Sequence, residues 1–150
     1  MPWEITIING SSPDDSTLGD RDAVVSRLAA ALPGATLEQP PTVPEEFLSQ
    51  MPESVRAVMN RSRLEGCFDH PDFSVSLYCS ADEPIQYING EVRGNGDPLA
   101  ALKSLCDATG WSIWDCCDSR VVDFAELDNN VWDSFCAWRD RALSEIDNQP

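Results

Sequence analysis

The sequence predicts an α+β fold: a mixed or mainly antiparallel sheet of about five to six strands, with helices packed mainly on one face. Three observations predict it. Residues 73–80 alternate between apolar and polar side chains, the period-2 mark of a strand buried on one side. Residues 21–32 and 97–110 carry apolar positions at helical spacing between start and stop signals, as amphipathic helices do. The elements follow in the order β-α-β, a helical stretch, β-β-α-β-β and a last α, which suits an antiparallel or mixed sheet covered from one side.

Trp3 to Ile8 is short, β-branched and bounded by Asn9, Gly10, two serines and Pro13, so a first strand followed by a polar loop is expected. A helix begins near Asp20. Val24, Val25, Leu28, Ala31 and Leu32 share one face of it, and Pro33 and Gly34 stop it. Ala35 to Gln39 reads as a short second strand before the break at Pro40, Pro41 and Pro44. From about 42 to 64 a helical insertion is expected over one end of the sheet. Phe47, Leu48, Met51, Val55, Val58 and Met59 recur there at helical spacing, with Pro52 in the first turn of a second short helix.

Phe73, Val75, Leu77 and Cys79 alternate with Ser74, Ser76, Tyr78 and Ser80, giving the clearest strand of the chain. Residues 85–93 read as one long strand bulged at Asn89-Gly90, with two arms joined there by a type I′ turn as the alternative. Asp97-Pro98 opens a helix and Gly110 closes it, with Leu99, Leu102, Leu105 and Cys106 on its apolar side. Trp111 to Asp115 and Val121 to Phe124 then form a hairpin turning at Cys117-Asp118-Ser119. A last helix starts near Asn130, and Val131, Trp132, Phe135, Cys136, Trp138, Ala142, Leu143 and Ile146 fall on its inner arc. Arg139 lies in that arc and is expected to be held by a carboxylate.

At 150 residues and 42% hydrophobic content the chain is expected to form a single domain over 1–150. No window reaches the roughly 20 apolar residues of a membrane span, and Met-Pro-Trp-Glu lacks the order of a secretory signal, so a cytoplasmic protein is expected. The six cysteines are expected to be reduced thiols, since a chain of this size needs no disulfide framework. Cys79 and Cys106 read as small core hydrophobes.

Charge is the most unusual feature. The 26 acidic and 10 basic residues give a formal net charge of −16 and a pI near 4.1. Residues 1–75 hold 12 acids and 5 bases, and residues 76–150 hold 14 and 5, so the halves carry −7 and −9. Such a dispersed field repels nucleic acid and anionic lipid and attracts basic partners. The nine arginines and one lysine form no basic stripe, which argues further against nucleic-acid binding.

The motifs carry little chemistry. Cys67 and the sole histidine, His70, are close in sequence and suggest a thiol nucleophile, but the acids around them oppose thiolate formation; a loop histidine before Pro71 is the competing reading. Cys106, Cys116 and Cys117 lack zinc spacing, and Asp14, Asp15, Asp20 and Asp22 lack the alternation and glycine of a calcium loop. No metal or cofactor is expected. Gly94-Asn95-Gly96 resembles a phosphate cradle in outline, but Asp97 already fills the helix start with negative charge.

The stretch Gly96-Asp97-Pro98-Leu99-Ala100-Ala101-Leu102-Lys103-Ser104-Leu105-Cys106-Asp107-Ala108-Thr109-Gly110-Trp111-Ser112-Ile113-Trp114-Asp115, closing with Val121-Val122-Asp123-Phe124, resembles the carboxy-terminal part of small immunity proteins of bacterial toxin systems. It spans about 30 residues and is a structural pattern, so no functional residue transfers with it. The resemblance implies a non-enzymatic acidic protein that occludes a secreted toxin domain, often a basic nuclease, with charge steering the encounter. The expected contact surface is Asp115, Asp118, Asp123, Glu126, Asp128 and Asp133 around Trp114 or Trp132. The competing view of these residues is structural, with tryptophans in the core and acids simply solvated. The alternative functions are a general interaction or homodimeric domain joined along an exposed strand, and a thiol or carboxylate hydrolase.

Overall fold

The computed structural model describes residues 2–41, 43–59, 62–125, 136–137 and 140–141. Among these residues the elements follow in the order β1 (Trp3–Ile8), α1 (Arg21–Ala31), α2 (Glu45–Leu48), α3 (Glu53–Met59), β2 (Arg63–Asp69), β3 (Phe73–Ser80), β4 (Ile88–Gly94), α4 (Leu99–Thr109), β5 (Ser112–Asp115) and β6 (Arg120–Val121). The strands form one antiparallel sheet in the order β2-β3-β4-β1-β5-β6. The fold is α+β, as the sequence predicts.

Local signals place the best-defined elements. Ile5, Ile7, Val75, Leu77, Val92 and Ile113 point to one face of the sheet, where Val24 and Leu28 of α1 and Leu99, Leu102 and Leu105 of α4 close the core. Asp97 Oδ1 accepts the Leu99 N–H at 2.8 Å, and Gly110 ends α4 with φ 78°, so start and stop follow from side chains in the sequence. Cys136 also packs against this core.

Four boundaries differ from expectation. The helical insertion stops before Arg63, because Arg63 and Leu64 already pair with Ser80 and Cys79 in β2. Residues 85–93 contain neither a bulge nor a turn at Asn89-Gly90. Both residues keep continuous register with β1 and β3, and a Cβ on Gly90 would lie 3.1 Å from Ile5 Cγ1. The glycine therefore serves close packing and not a reversal. Residues 35–39 are not a full strand: Glu38 bridges Glu65, and the Thr36 N–H reaches the Cys67 carbonyl at 2.9 Å. The second arm of the last hairpin is shorter than expected, Arg120–Val121.

No side chain of α2 or α3 is fully buried, and Leu48, Met51 and Met59 are half-buried. The expected last helix lies outside the described residues except for helical Cys136, Ala137, Asp140 and Arg141, and Arg139 lies outside them.

Cys67, Cys79, Cys106, Cys116 and Cys117 are free thiols. Burial pushes the Cys79 thiol up to about 11, and burial, with Asp107 next, does the same to Cys106. Both thiols should resist alkylation at neutral pH until the chain unfolds, whereas exposed Cys116 is labelled in the native protein; timed labelling with mass readout checks this. The raised values also set a pH window. An acid whose folded pKa exceeds its ordinary 9.0 stabilises the fold fully below pH 9 and loses that contribution as pH climbs towards 11.

Candidate functional site

Among the described residues the helices lie on one face of the sheet; on the opposite face Thr6 and Ile8 are buried, while Glu4, Glu65, Ser76 and Tyr78 are exposed and leave part of that face open to a partner. Antiparallel register fixes its layout, because residues opposite one another on adjacent strands point the same way. One row across the sheet reads Glu65, Tyr78, Asn89, Thr6 and Trp114. The next row reads Cys67, Ser76, Glu91 and Glu4, with the Cys116 N–H on the Glu4 carbonyl at 3.1 Å.

Small polar residues make this face shallow. Ser76 and Ser80 are exposed, and Thr6 lies beneath the surface, with its hydroxyl 3.3 Å from Asn89 Oδ1 and 3.4 Å from Cys116 Sγ. Tyr78 stands out of it, 43% exposed. Partial burial, then the charges of Glu91 and Glu4, push its hydroxyl above its ordinary value, so the ring sits in a negative field. Glu4 and Glu91 are direct cross-strand partners, with Cβ atoms about 5 Å apart in such a pair. Glu91 binds Arg93 at 2.6 Å, and Glu65 binds Arg63 at 2.7 Å. No ion pair engages Glu4 among the described residues.

At the upper end of this face a cleft of about 320 Å³ lies between Ser80, Tyr87 and Asn89 and the overhanging loop of Asp82, Glu83, Pro84 and Gln86. This loop is stitched to the loop before α1. The Ile85 N–H donates to the Gly19 carbonyl at 2.8 Å, the Leu18 N–H to the Ile85 carbonyl at 2.7 Å, and the Arg21 N–H to Glu83 Oε1 at 3.2 Å. Asp14, Asp15, Asp20, Asp82 and Glu83, all exposed, therefore belong to two joined loops, with exposed Asp22 in the first turn of α1 beside them, and acidic charge continues from the open face around its rim.

Among the described residues, the expected contacts Trp114 and Asp115 do not share one surface. Trp114 is half-buried on the open face, but Asp115, its neighbour in a strand, points the other way and is 3% exposed. Its Oδ1 accepts the Trp3 indole N–H at 3.2 Å and the Cys117 N–H at 2.9 Å, so this carboxylate is structural. Asp118 is exposed on the hairpin turn and pairs with Arg120 at 3.4 Å. Asp123 is exposed and accepts the Ala125 N–H at 2.9 Å. Glu126, Asp128, Trp132 and Asp133 lie outside the described residues. Tyr78, Glu4 and Glu91 are the residues that sequence reasoning missed. The serine-tyrosine side of residues 74–80 marked a wet face, but only strand order brings Glu4 and Glu91 beside it.

The thiol and histidine considered for nucleophilic chemistry have separate partners. Cys67 Sγ faces Asp69 Oδ2 at 3.6 Å, while His70 Nδ1 accepts the Asp72 N–H at 3.1 Å and its ring stacks on Phe73 with centroids 4.5 Å apart. The amides of Asn95 and Gly96 both donate to the Asp72 carbonyl, at 3.2 and 2.9 Å, so the glycine turn is a loop clasp. Among the described residues no group of three or more His, Cys, Asp or Glu is placed to hold a metal ion, and no helix is long and apolar enough to cross a membrane.

Comparison with protein-family models, with curated proteins and with solved structures finds no match.

Proposed function

We propose that this protein is a non-enzymatic, cytoplasmic binding protein that occludes a basic protein partner, in the manner of an immunity or inhibitor protein of a toxin system. The observation that carries the reading is the open sheet face, where exposed Tyr78 and half-buried Trp114 lie in a field of carboxylates set by Glu4, Glu65 and Glu91. Aromatic anchors with a charged surround are the usual composition of a high-affinity contact. A net charge of −16 accelerates encounter with a cationic surface and disfavours nucleic acid. The resemblance of residues 96–124 to immunity proteins agrees with a stoichiometric inhibitor. A homodimer joined strand to strand is less favoured, because the Thr36–Glu38 segment already occupies the outer side of β2.

Affinity capture from extract of the producing cells tests the proposal. Wild-type protein should retain one basic protein in stoichiometric amount at low salt and release it at high salt. The double variant Glu4→Lys/Glu91→Lys should weaken that capture about tenfold or more. Equal capture by the variant, or no retained basic protein, refutes the open face as the binding surface.

A further inference from the structure

The α2–α3 insertion has an exposure that its own fold does not explain. Among the described residues, three of the four exposed large hydrophobics lie in it: Phe47 at 59%, Val55 at 42% and Val58 at 60%. Val55 and Val58 are three apart and share a side of α3. Helices of four and seven residues are too short to persist on propensity alone and ordinarily depend on burying an apolar face. Neither has a fully buried residue: Leu48 and Met59 are half-buried, and Phe47, Val55 and Val58 stay uncovered within the described chain.

Charge decides what covers the surface. Glu45 and Glu46 open α2 and Glu53 opens α3, against Arg56, whose Nε donates to the Met51 carbonyl at 3.2 Å. A second copy would set these carboxylates against their own kind, on molecules each carrying −16, and like charges facing across a contact are costly. A basic surface meets no such cost. We propose that the α2–α3 insertion docks a basic amphipathic helix of a partner protein, its apolar stripe on Phe47, Val55 and Val58 and its lysines or arginines beside Glu45, Glu46 and Glu53. This mode is recognition of an amphipathic helix through its apolar face, with a polar rim. It shares with the proposed function only the sign of the partner's charge and uses a different part of the chain.

Three synthetic peptides are the probes: an 18-residue lysine-leucine helix with its leucines in one stripe, the same composition scrambled to remove the stripe, and the striped pattern with glutamate replacing lysine. Binding is read by fluorescence anisotropy with wild type, with Phe47→Ser/Val58→Ser and with Glu4→Lys/Glu91→Lys. The striped basic peptide should bind wild type at least tenfold more tightly than either control. Phe47→Ser/Val58→Ser should abolish that preference while keeping the wild-type thermal midpoint, since both side chains are exposed. Glu4→Lys/Glu91→Lys should retain the preference, which separates this docking surface from the open sheet face. Equal binding of the scrambled peptide would reduce the effect to charge, and an unchanged Phe47→Ser/Val58→Ser variant would remove the insertion from it; either overturns the proposal. Sedimentation of the free protein as a dimer that Phe47→Ser/Val58→Ser dissolves overturns it in favour of a second copy.

Discussion

Gly66→Ala should lower the unfolding free energy by roughly 3–5 kcal/mol, the sum of a displaced core side chain and a few lost hydrogen bonds. A Cβ at this position would lie within bonding distance of the Thr36 carbonyl, at 1.8 Å from its oxygen and 2.4 Å from its carbon, and 2.9 Å from Leu37 Cα. All three are backbone atoms, so no side-chain rotation relieves the clash and the Thr36–Glu38 segment must leave β2. Its departure breaks the bonds between Thr36 and Cys67 and the reciprocal pair between Glu38 and Glu65 at 2.8 Å. It also draws out Leu37, which is 2% exposed and part of the core. Against a typical domain stability of about 5–15 kcal/mol this loss is large. Urea unfolding followed by circular dichroism measures it. A midpoint equal to wild type contradicts the seating of this segment on β2.

Asp115→Ala should cost about 2–4 kcal/mol, because it removes the shared acceptor of one buried and one part-buried donor. Those donors are the Trp3 indole and the Cys117 amide, and they join β1 to the turn after β5. Asp115→Asn tests the cause. Its side-chain oxygen can accept both bonds that Oδ1 accepts and only the charge is lost, so an intermediate loss of about 1–2 kcal/mol is expected. Denaturant titration followed by tryptophan fluorescence ranks the three proteins. Equal losses for Ala and Asn would point to charge, and not to the acceptor geometry, as what the site requires.

What was legible in the sequence is what neighbouring residues decide. Asp97, Pro98 and Gly110 fix the limits of α4 through groups within a few positions of one another, and the alternation of 73–80 is self-contained. β2 escaped because its inward positions are Leu64, Gly66 and Phe68, and a glycine in the middle removes the apolar beat. That glycine answers to Thr36, some 30 residues earlier, which no local pattern announces. Asn89-Gly90 misled for the related reason that a dipeptide with turn chemistry was recruited for thin packing against Ile5. The grouping of Trp114 with Asp115 was avoidable, since adjacent residues of one strand cannot face the same partner. The pairing of Glu4 with Glu91 was beyond reach, because it depends on β1 inserting between β4 and β5.

That central position of β1 has a consequence for how the chain matures. Among the described residues, residues 3–8 find their backbone hydrogen-bonding neighbours in the sheet at 88–92 and 112–116. During translation the earliest strand emerges unpartnered on both sides, and the hairpin of β2 and β3 has the chance to close well before it is joined. Completion of the sheet is thus the late threading of an old segment between two new ones, and the waiting strand, with four of its six residues apolar, is the stretch most in need of shelter until then.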